Sequence, residues 1–508
     1  MKESLSTLLI LILLEAHAYG QHKNIMISDQ NKPNETSIAM DLNNPEHMLI
    51  GANINNYYTS NDGGLSWEMH TQKSSLGVWG DPVMVIDTAG NYYHFHLSRP
   101  EKNGHWIDRI VCQKSQDRGE TFNDGTYMGL NGQKEQDKHW VAVDRNNNNL
   151  YVTWTQFDEY GSEDPDMYSN ILFSKSTDEG ASWSEAKQVN SVSGDCIDDD
   201  NTVEGAVPAV GPGGEIYVAW AGPNGLVFNK SLDQGENWLE NEIRIDSMPH
   251  GWSLDIPGIY RSNGMPVTVC DRSGGEQNGT IYVAWADQRN GFDNADIWLS
   301  KSADQGDTWS SPLRVNQDTT ESQQFFPWMA IDQSNGNLYF VYHDRRNYSN
   351  SDSTDVYLTY STDGGSSFQD VQISERPFLP SANEFFGDYN NIVAHNNIVR
   401  PVWTRMDNKK LSVWTSIVDA DYLINENSRD LSVRYDPELQ TIYCNLGIKT
   451  KANIALSSFN GEILNTWFDR KLKGTRNALL CKTPLDRGIY FLIIQKGGKA
   501  YKRQFIVD

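Results

Sequence analysis

Six copies of one turn motif, a pair of short strands ahead of each, and spare strands at both ends of the repeat predict an all-β chain. The expected fold is a seven-bladed β-propeller, with six blades as the alternative, followed by a small C-terminal β-sandwich. The chain has 508 residues, too many for one ordinary compact domain, and a large repeat fold with additions suits that length. Its 16 Trp, 23 Tyr and 17 Phe argue against disorder. The 40 Gly, with many Asn-Gly and Asp-Gly steps, point to turns between short strands.

The motif reads Ser-x-Asp-x-Gly-x-x-Trp/Phe. It spans Ser60–Trp67, Ser115–Phe122, Ser176–Trp183, Ser231–Trp238, Ser302–Trp309 and Ser361–Phe368. Its acids are Asp62, Asp117, Asp178, Asp233, Asp304 and Asp363. Their expected role is structural: Asp accepts backbone N–H bonds inside a turn, Gly supplies φ > 0, and the ring packs between sheets. Ahead of the motif come alternating apolar strands such as Leu150–Trp154, Ile216–Trp220, Ile281–Trp285 and Leu338–Tyr342. Another short strand precedes each of these, so one unit holds four strands.

Inner strands begin near Glu35, Asp81, His139, Glu204, Met265, Trp328 and Tyr389, which favours seven units. The seventh unit carries no motif and no outer strand. Residues Asn24–Asp29 are expected to supply that strand, closing the ring and removing its free edges.

The two ends read differently. Met1-Lys2, the apolar run Leu8–Leu14 and Ala16-His17-Ala18 form the pattern of a signal peptide over residues 1–20. The run is too short to span a bilayer, and no other stretch is a candidate span, so an exported protein without a transmembrane segment is expected. Residues 426–508 hold 14 Lys/Arg and 8 Asp/Glu, leaving 28 against 59 in residues 1–425. That change of sign places a boundary near 425, with a propeller over 21–425. Strong acidity argues against nucleic acid as a partner. The five Cys exclude a disulfide scaffold; Cys444 and Cys481 fall in the same small domain and are candidates to pair. The closing segment, from Gly488-Ile489-Tyr490 to Phe505-Ile506-Val507-Asp508, resembles the end of a type IX secretion sorting domain of Bacteroidetes. The resemblance implies that residues 426–508 engage the type IX secretion machinery, with passage through the periplasm to the outer surface or the medium.

In a propeller, the starts of innermost strands and the ends of second strands share one face around the central channel, and the repeated turns lie on the other. The channel face therefore collects Asn34-Glu35, Asp81, Asp137-Lys138-His139-Trp140, Asp198-Asp199-Asp200, Glu204, and Glu384 to Tyr389. Ends of second strands bring Arg289, Arg345, Arg346 and Arg405. Converging guanidiniums would cradle a carboxylate, and nearby acids would serve as proton donor or base. No metal-binding spacing occurs. The run Asp198–Asp200 is the one calcium candidate, with a solvated acidic loop the plainer expectation. His139 is expected to be a hydrogen-bonded channel residue.

Six such turns on a propeller resemble the Asp-box repeats of the sialidase superfamily. The resemblance covers about 400 residues, most of the chain. It implies a glycoside hydrolase, an exo-sialidase in its narrowest form, acting on a glycan or glycoprotein without a cofactor. It places an arginine triad on Arg289, Arg345 or Arg346, and Arg405. It makes Tyr389 with Glu204 or Glu384 the nucleophile pair and Asp81 the acid. His139, Trp140 and Asp388 complete the binding surface. The Arg-Ile-Pro opening of that superfamily is absent; Asn34-Glu35-Thr36-Ser37 stands in its region. Two other functions stay open: a non-catalytic glycan- or protein-binding surface propeller, and a propeller hydrolase of neutral polysaccharide.

Overall fold

The computed structural model of the protein describes residues 22–101, 104–425, 431–474 and 476–508. The expected signal segment lies outside the described residues, as do residues 426–430 at the expected boundary. Seven four-stranded antiparallel sheets are arranged as blades. Their innermost strands touch in circular order, from Ser37–Met40 through Val83–Ile86, Glu135–Val143, Glu204–Val210, Val267–Cys270 and Gln324–Asp332 to Asn391–His395 and back to the first. The ring is thus a closed β-propeller.

Closure is made by both ends of the ring's chain. The strand Lys23–Ser28 pairs antiparallel with Lys410–Asp419, setting Lys23 opposite Ile417 and Ile25 opposite Thr415. It supplies the outer strand that the seventh blade lacks. No edge of that blade's third strand is left to pair with another chain.

Blades are held to one another by their second strands and by the repeated turns. The second strands are apolar on both faces because a neighbouring blade covers each. Leu150–Phe157 is buried throughout, and Trp154, Trp220, Trp285 and Trp403 are fully buried. In the turn at Ser302–Trp309, Gly306 N donates to Ser302 Oγ at 2.8 Å, and Thr308 N donates to Asp304 Oδ1 at 2.9 Å. The same two bonds recur in the other five turns, at 2.8–2.9 Å. Gly306 sits at φ 86°, where a side chain would be strained. The motif's ring then reaches the preceding blade: Trp183 meets Phe95, Trp238 meets Phe173 and Trp309 meets Phe228, with centroids 5.1–5.8 Å apart.

The C-terminal region folds as a three-stranded and a four-stranded antiparallel sheet around Ile442, Leu456, Leu492 and Ile494. It docks beneath the first and last blades, opposite the channel face. Phe459, Ile489 and Phe491 pack on Met48, Leu65, Ile398 and Ile417. Lys502 reaches Asp421 at 2.7 Å and Arg503 reaches Asp419 at 3.5 Å, so the basic domain grips the acidic ring. Cys444 and Cys481 are buried as free thiols, because the ladder sets Cys444 opposite Asn477 while Cys481, beyond its end, bonds Gln440. Among the described residues no helix is long and apolar enough to cross a membrane.

Asp304→Ala removes three hydrogen bonds from one turn and is expected to lower stability by about 1–3 kcal/mol, measured by denaturant unfolding. Hydrogen bonds from Thr308 hold Asp304 down to about 2, and those from Asn237 do the same for Asp233, against an ordinary 3.8. Their contribution is present above the ordinary value and is lost as pH falls through the lowered one. Asp304→Ala should therefore be more acid-tolerant relative to its own neutral stability than the parent protein.

Candidate functional site

The ladders align the seven innermost strands. They pair with the second strands through Ser37–Gly51, Val83–Phe95, Trp140–Thr153, Val207–Ala219, Val267–Ala284, Trp328–Val341 and Asn391–Val402. Two residues before each pair stand Glu35, Asp81, Lys138, Gly205, Met265, Phe326 and Tyr389. Five of the seven adopt left-handed backbone, with φ of 50° at Glu35, 50° at Asp81, 47° at Lys138, 75° at Gly205 and 52° at Phe326. Register shifts at three of these strands mark bulges. Non-glycine residues held there cost of order 1–3 kcal/mol each, and a bulge re-aims the side chain it carries. The strain is repeated around the ring centre, where the charged groups meet.

Lys138 is the hub. Its Nζ lies 2.6 Å from Asp388, 3.6 Å from Asp81 and 3.9 Å from Glu35, and it is buried. Arg261 crosses above. Its Nε donates to Asp388 Oδ1 at 2.8 Å, its Nη2 bonds the other oxygen, and its Nη1 donates to Asp198 at 3.1 Å. Tyr160 donates its hydroxyl to Asp198 at 2.5 Å. Asn53 links two blades: it accepts from Asp81 N at 2.8 Å and its Nδ2 bonds Glu35. Below this layer Trp140 lies 4.2 Å from Trp328 and 5.0 Å from Tyr389, centroid to centroid, so aromatic rings close the channel. Above it stands an aromatic rim. Trp106 meets Tyr160 at 5.5 Å, and Phe385, 6.1 Å from the exposed Tyr260, lies under Arg261.

Burial sorts these acids into two kinds. Burial raises Asp388, but Lys138 and Arg261 outweigh it and hold its carboxyl well below the usual range. Burial, reinforced by Asp81, pushes Glu35 well above the usual range. Burial and the Asp198 charge do the same to Glu204, which makes no ion pair among the described residues. Burial brings Asp137 up to about 7 against the pull of Lys138. Tyr389 is kept neutral by burial and by the charges of Asp81 and Glu35. The centre therefore sets a carboxylate held down by two cations beside carboxyl groups that burial raises above their usual range, the contrast that acid–base chemistry requires.

The structure brings Asp81, Tyr389, Asp388 and Trp140 together, with Glu204 coupled to the same charges. It does not bring the arginines together. Arg289 is taken by Asp287 at 2.9 Å and Asp246 at 2.7 Å, and lies over Trp298. Arg346 binds Asp344 at 2.8 Å and Asp370 at 2.5 Å. Arg405 binds Asp407 at 2.6 Å and the Arg376 carbonyl at 2.8 Å. Arg345 is 2% exposed, donates to Thr354 at 3.2 Å and stands over Phe325. Three of the four are neutralised by a carboxylate two residues away, and the expected cradle is not assembled.

Glu384 pairs with Lys32 at 3.0 Å on the rim rather than with Tyr389. His139 is buried, and burial pushes its imidazole down to about 4 against the pull of the Asp81 charge, with His96 adding to the lowering. Asp198 is occupied by Arg261 and Tyr160, while Asp200 accepts from Ser253 N at 2.9 Å. These acids point to different partners. Among the described residues no group of three or more His, Cys, Asp or Glu is placed to hold a metal ion.

Lys138 and Glu35 were visible only as polar residues near strand starts, without a pattern to rank them, and Asn53, just after the second strand Met48–Ala52, was not singled out. Arg261 was not visible at all. It comes from an insertion between blades, held by a two-residue ladder of Ser253–Leu254 with Ser262–Asn263, and has no counterpart in the repeat.

No protein-family description matches the sequence, and no curated protein matches it. Solved structures do. The NanB sialidase from Streptococcus pneumoniae is 11% identical, with 73% of this chain and 83% of that chain covered at a TM-score of 0.44. An α-L-arabinofuranosidase from Fusarium graminearum is 15% identical, with 70% and 99% covered at 0.43. YCF48 bound to D1 peptide is 12% identical, with 79% and 98% covered at 0.41.

Lys138→Met takes from the buried Asp388 the first of the two cations that hold it ionised and leaves Asp81 without its ammonium. A loss of about 3–5 kcal/mol is expected near neutral pH, because an uncompensated charge stays buried. Without Lys138 the Asp388 carboxyl is held down less and takes up a proton more readily as pH falls, so the loss should shrink at about pH 4.5. Denaturant unfolding at the two pH values measures both effects.

Proposed function

We propose that the chain is a carbohydrate-active propeller, a glycoside hydrolase whose acid–base groups stand at the channel mouth and whose substrate is a neutral sugar. One observation carries this: at a strained ring centre, under an aromatic rim, buried carboxyl groups raised above their usual range stand beside one that two cations hold down. Glu204 is the proton donor, since burial and the Asp198 charge raise its carboxyl well above the usual range and it makes no ion pair among the described residues. Asp81 is the base. Its side chain is the most exposed of the three carboxylates around Lys138, at 11%. Asp388 is fixed by two cations and serves as the anchor that positions Lys138 and Arg261. Tyr389, in van der Waals range of Trp140, forms the floor.

Neutral sugar is favoured over sialic acid because the arginines are already neutralised by their own blades. The mouth itself is rich in carboxylates, and residues 1–425 carry 59 Asp/Glu against 28 Lys/Arg. A substrate carboxylate would enter against that field. The rim rings Trp106 and Tyr260, 38% and 60% exposed, offer faces on which sugars stack. Substrate entry displaces the Arg261 side chain, which is 40% exposed and borne on a short ladder. The signal-peptide pattern over 1–20 and the resemblance of residues 426–508 to a sorting domain support an activity outside the cell.

A non-catalytic binding propeller is favoured by one fact: Glu35, Glu204 and Asp388 are each almost fully buried. The experiment separates the two. The full-length protein is incubated with neutral and sialylated glycans and the released sugars are identified by mass spectrometry. Release of neutral sugar is expected, falling by about 10²–10⁴-fold in Glu204→Gln, whose unfolding temperature should be unchanged. Activity of the parent protein should also fall as pH rises through the raised value of Glu204. No release from well-folded protein would leave the binding propeller, and release of sialic acid would restore a carboxylate-binding role.

A further inference from the structure

A second feature lies away from the channel, on the outer flank between the second and third blades. A cleft of about 530 Å³ opens there, and another of about 350 Å³ adjoins it across the same two rings, Tyr127 and Trp183. That size suits a few sugar rings. The outer strand of the second blade is three residues long, Thr126–Met128. Gly129 follows at φ 82°, and a Cβ there would come within 3.3 Å of Trp154 and Gln136, so the chain turns away tightly and leaves the flank open.

Both rings are fixed in advance. Trp183 donates Nε1 to Thr126 Oγ1 at 3.0 Å and abuts Phe95 at 5.8 Å. Tyr127 is 45% exposed and is backed by the Arg109 guanidinium, 4.8 Å from its centroid and itself paired with Asp108. Little side-chain entropy remains to be lost on binding, which is the property of a stacking platform. Around the rings stand the amides of Asn131, Gln156, Asn170 and Gln188. Asn131 already donates to Gln156 at 2.9 Å, so the amides form an ordered set that both donates and accepts. Lys134, at the edge, is neutralised by Asp158 at 2.5 Å. On a chain of net charge −25, this wall of two aromatic rings and four neutral amides carries two carboxylates, Glu185 and Asp124, the second already accepting from Ser75 N at 2.7 Å. By contrast, the cleft flanking the fourth blade presents Glu242 and Arg244 and no aromatic ring.

We infer that this flank is a separate binding subsite for a neutral oligosaccharide, with Tyr127 and Trp183 stacking on sugar faces and the amides bonding hydroxyl groups. It binds without turnover, and it does not rest on the acid–base assignment at the channel mouth. Calorimetric titration of the full-length protein with cellohexaose, with mannohexaose and with sialyllactose as the charged control tests it. At least one neutral hexaose should bind, about tenfold more weakly in Tyr127→Ala and in Gln188→Ala, and with unchanged affinity in Glu204→Gln. Gln188 is exposed, so its variant keeps the test decisive if Tyr127→Ala lowers the unfolding temperature. Three results would overturn the inference: no neutral hexaose binds at millimolar concentration, binding persists undiminished in both flank variants, or binding is lost in Glu204→Gln alone.

Discussion

Closing seven twisted sheets into a ring is the constraint on which the rest depends. Each blade is only four strands, and its apolar faces are covered only when a neighbour stands on both sides. The join is made where the chain's beginning meets its later part, by the ladder of Lys23–Ser28 on Lys410–Asp419. The C-terminal domain sits at the same join, with Arg503 near Asp419 and Asp508 bonded to Lys23. Its basic charge is thus set against the acidic ring where separation of the ends would open it.

Closure also dictates the chemistry. Seven strand starts converge on one axis, and their side chains must either fill the channel or be reconciled electrically. Aromatic rings fill it below; above, several carboxylates surround one ammonium and one guanidinium. One buried ammonium and one exposed guanidinium do not neutralise so many acids, and burial pushes the surplus toward the protonated form. Hence Glu35, Glu204 and Asp137 are shifted upward while Asp388 stays ionised. The left-handed backbone at Glu35, Asp81 and Lys138 shows that the fold tolerates local strain to hold these groups together.

The fold was largely legible in the sequence because its signals are local. The turn motif encodes its own hydrogen bonds within eight residues, and the apolar second strands reveal the blade period. The missing outer strand could be assigned by counting. The site was only partly legible. Strand starts were correctly placed at the channel, which brought Asp81, Asp388, Tyr389 and Trp140 into view. The recurrence of Arg289, Arg346 and Arg405 misled, because a repeat copies structural residues as faithfully as functional ones. Asp287, Asp344 and Asp407 stand two positions from them and take their charge. Arg261 was hidden for the opposite reason: it belongs to an insertion, where the repeat predicts nothing.

The ring centre holds Glu35 and Glu204 raised well above the usual carboxylate range beside Asp388, which two cations hold well below it. Carbon-13 NMR of the full-length protein, labelled at the glutamate carboxyl carbons, tests this contrast most directly across a pH titration. Two resonances, assigned by their loss in Glu35→Gln and Glu204→Gln, should remain in the protonated position well above the ordinary 4.5. If both instead titrate with the surface glutamates, the centre holds no proton donor and the catalytic account fails.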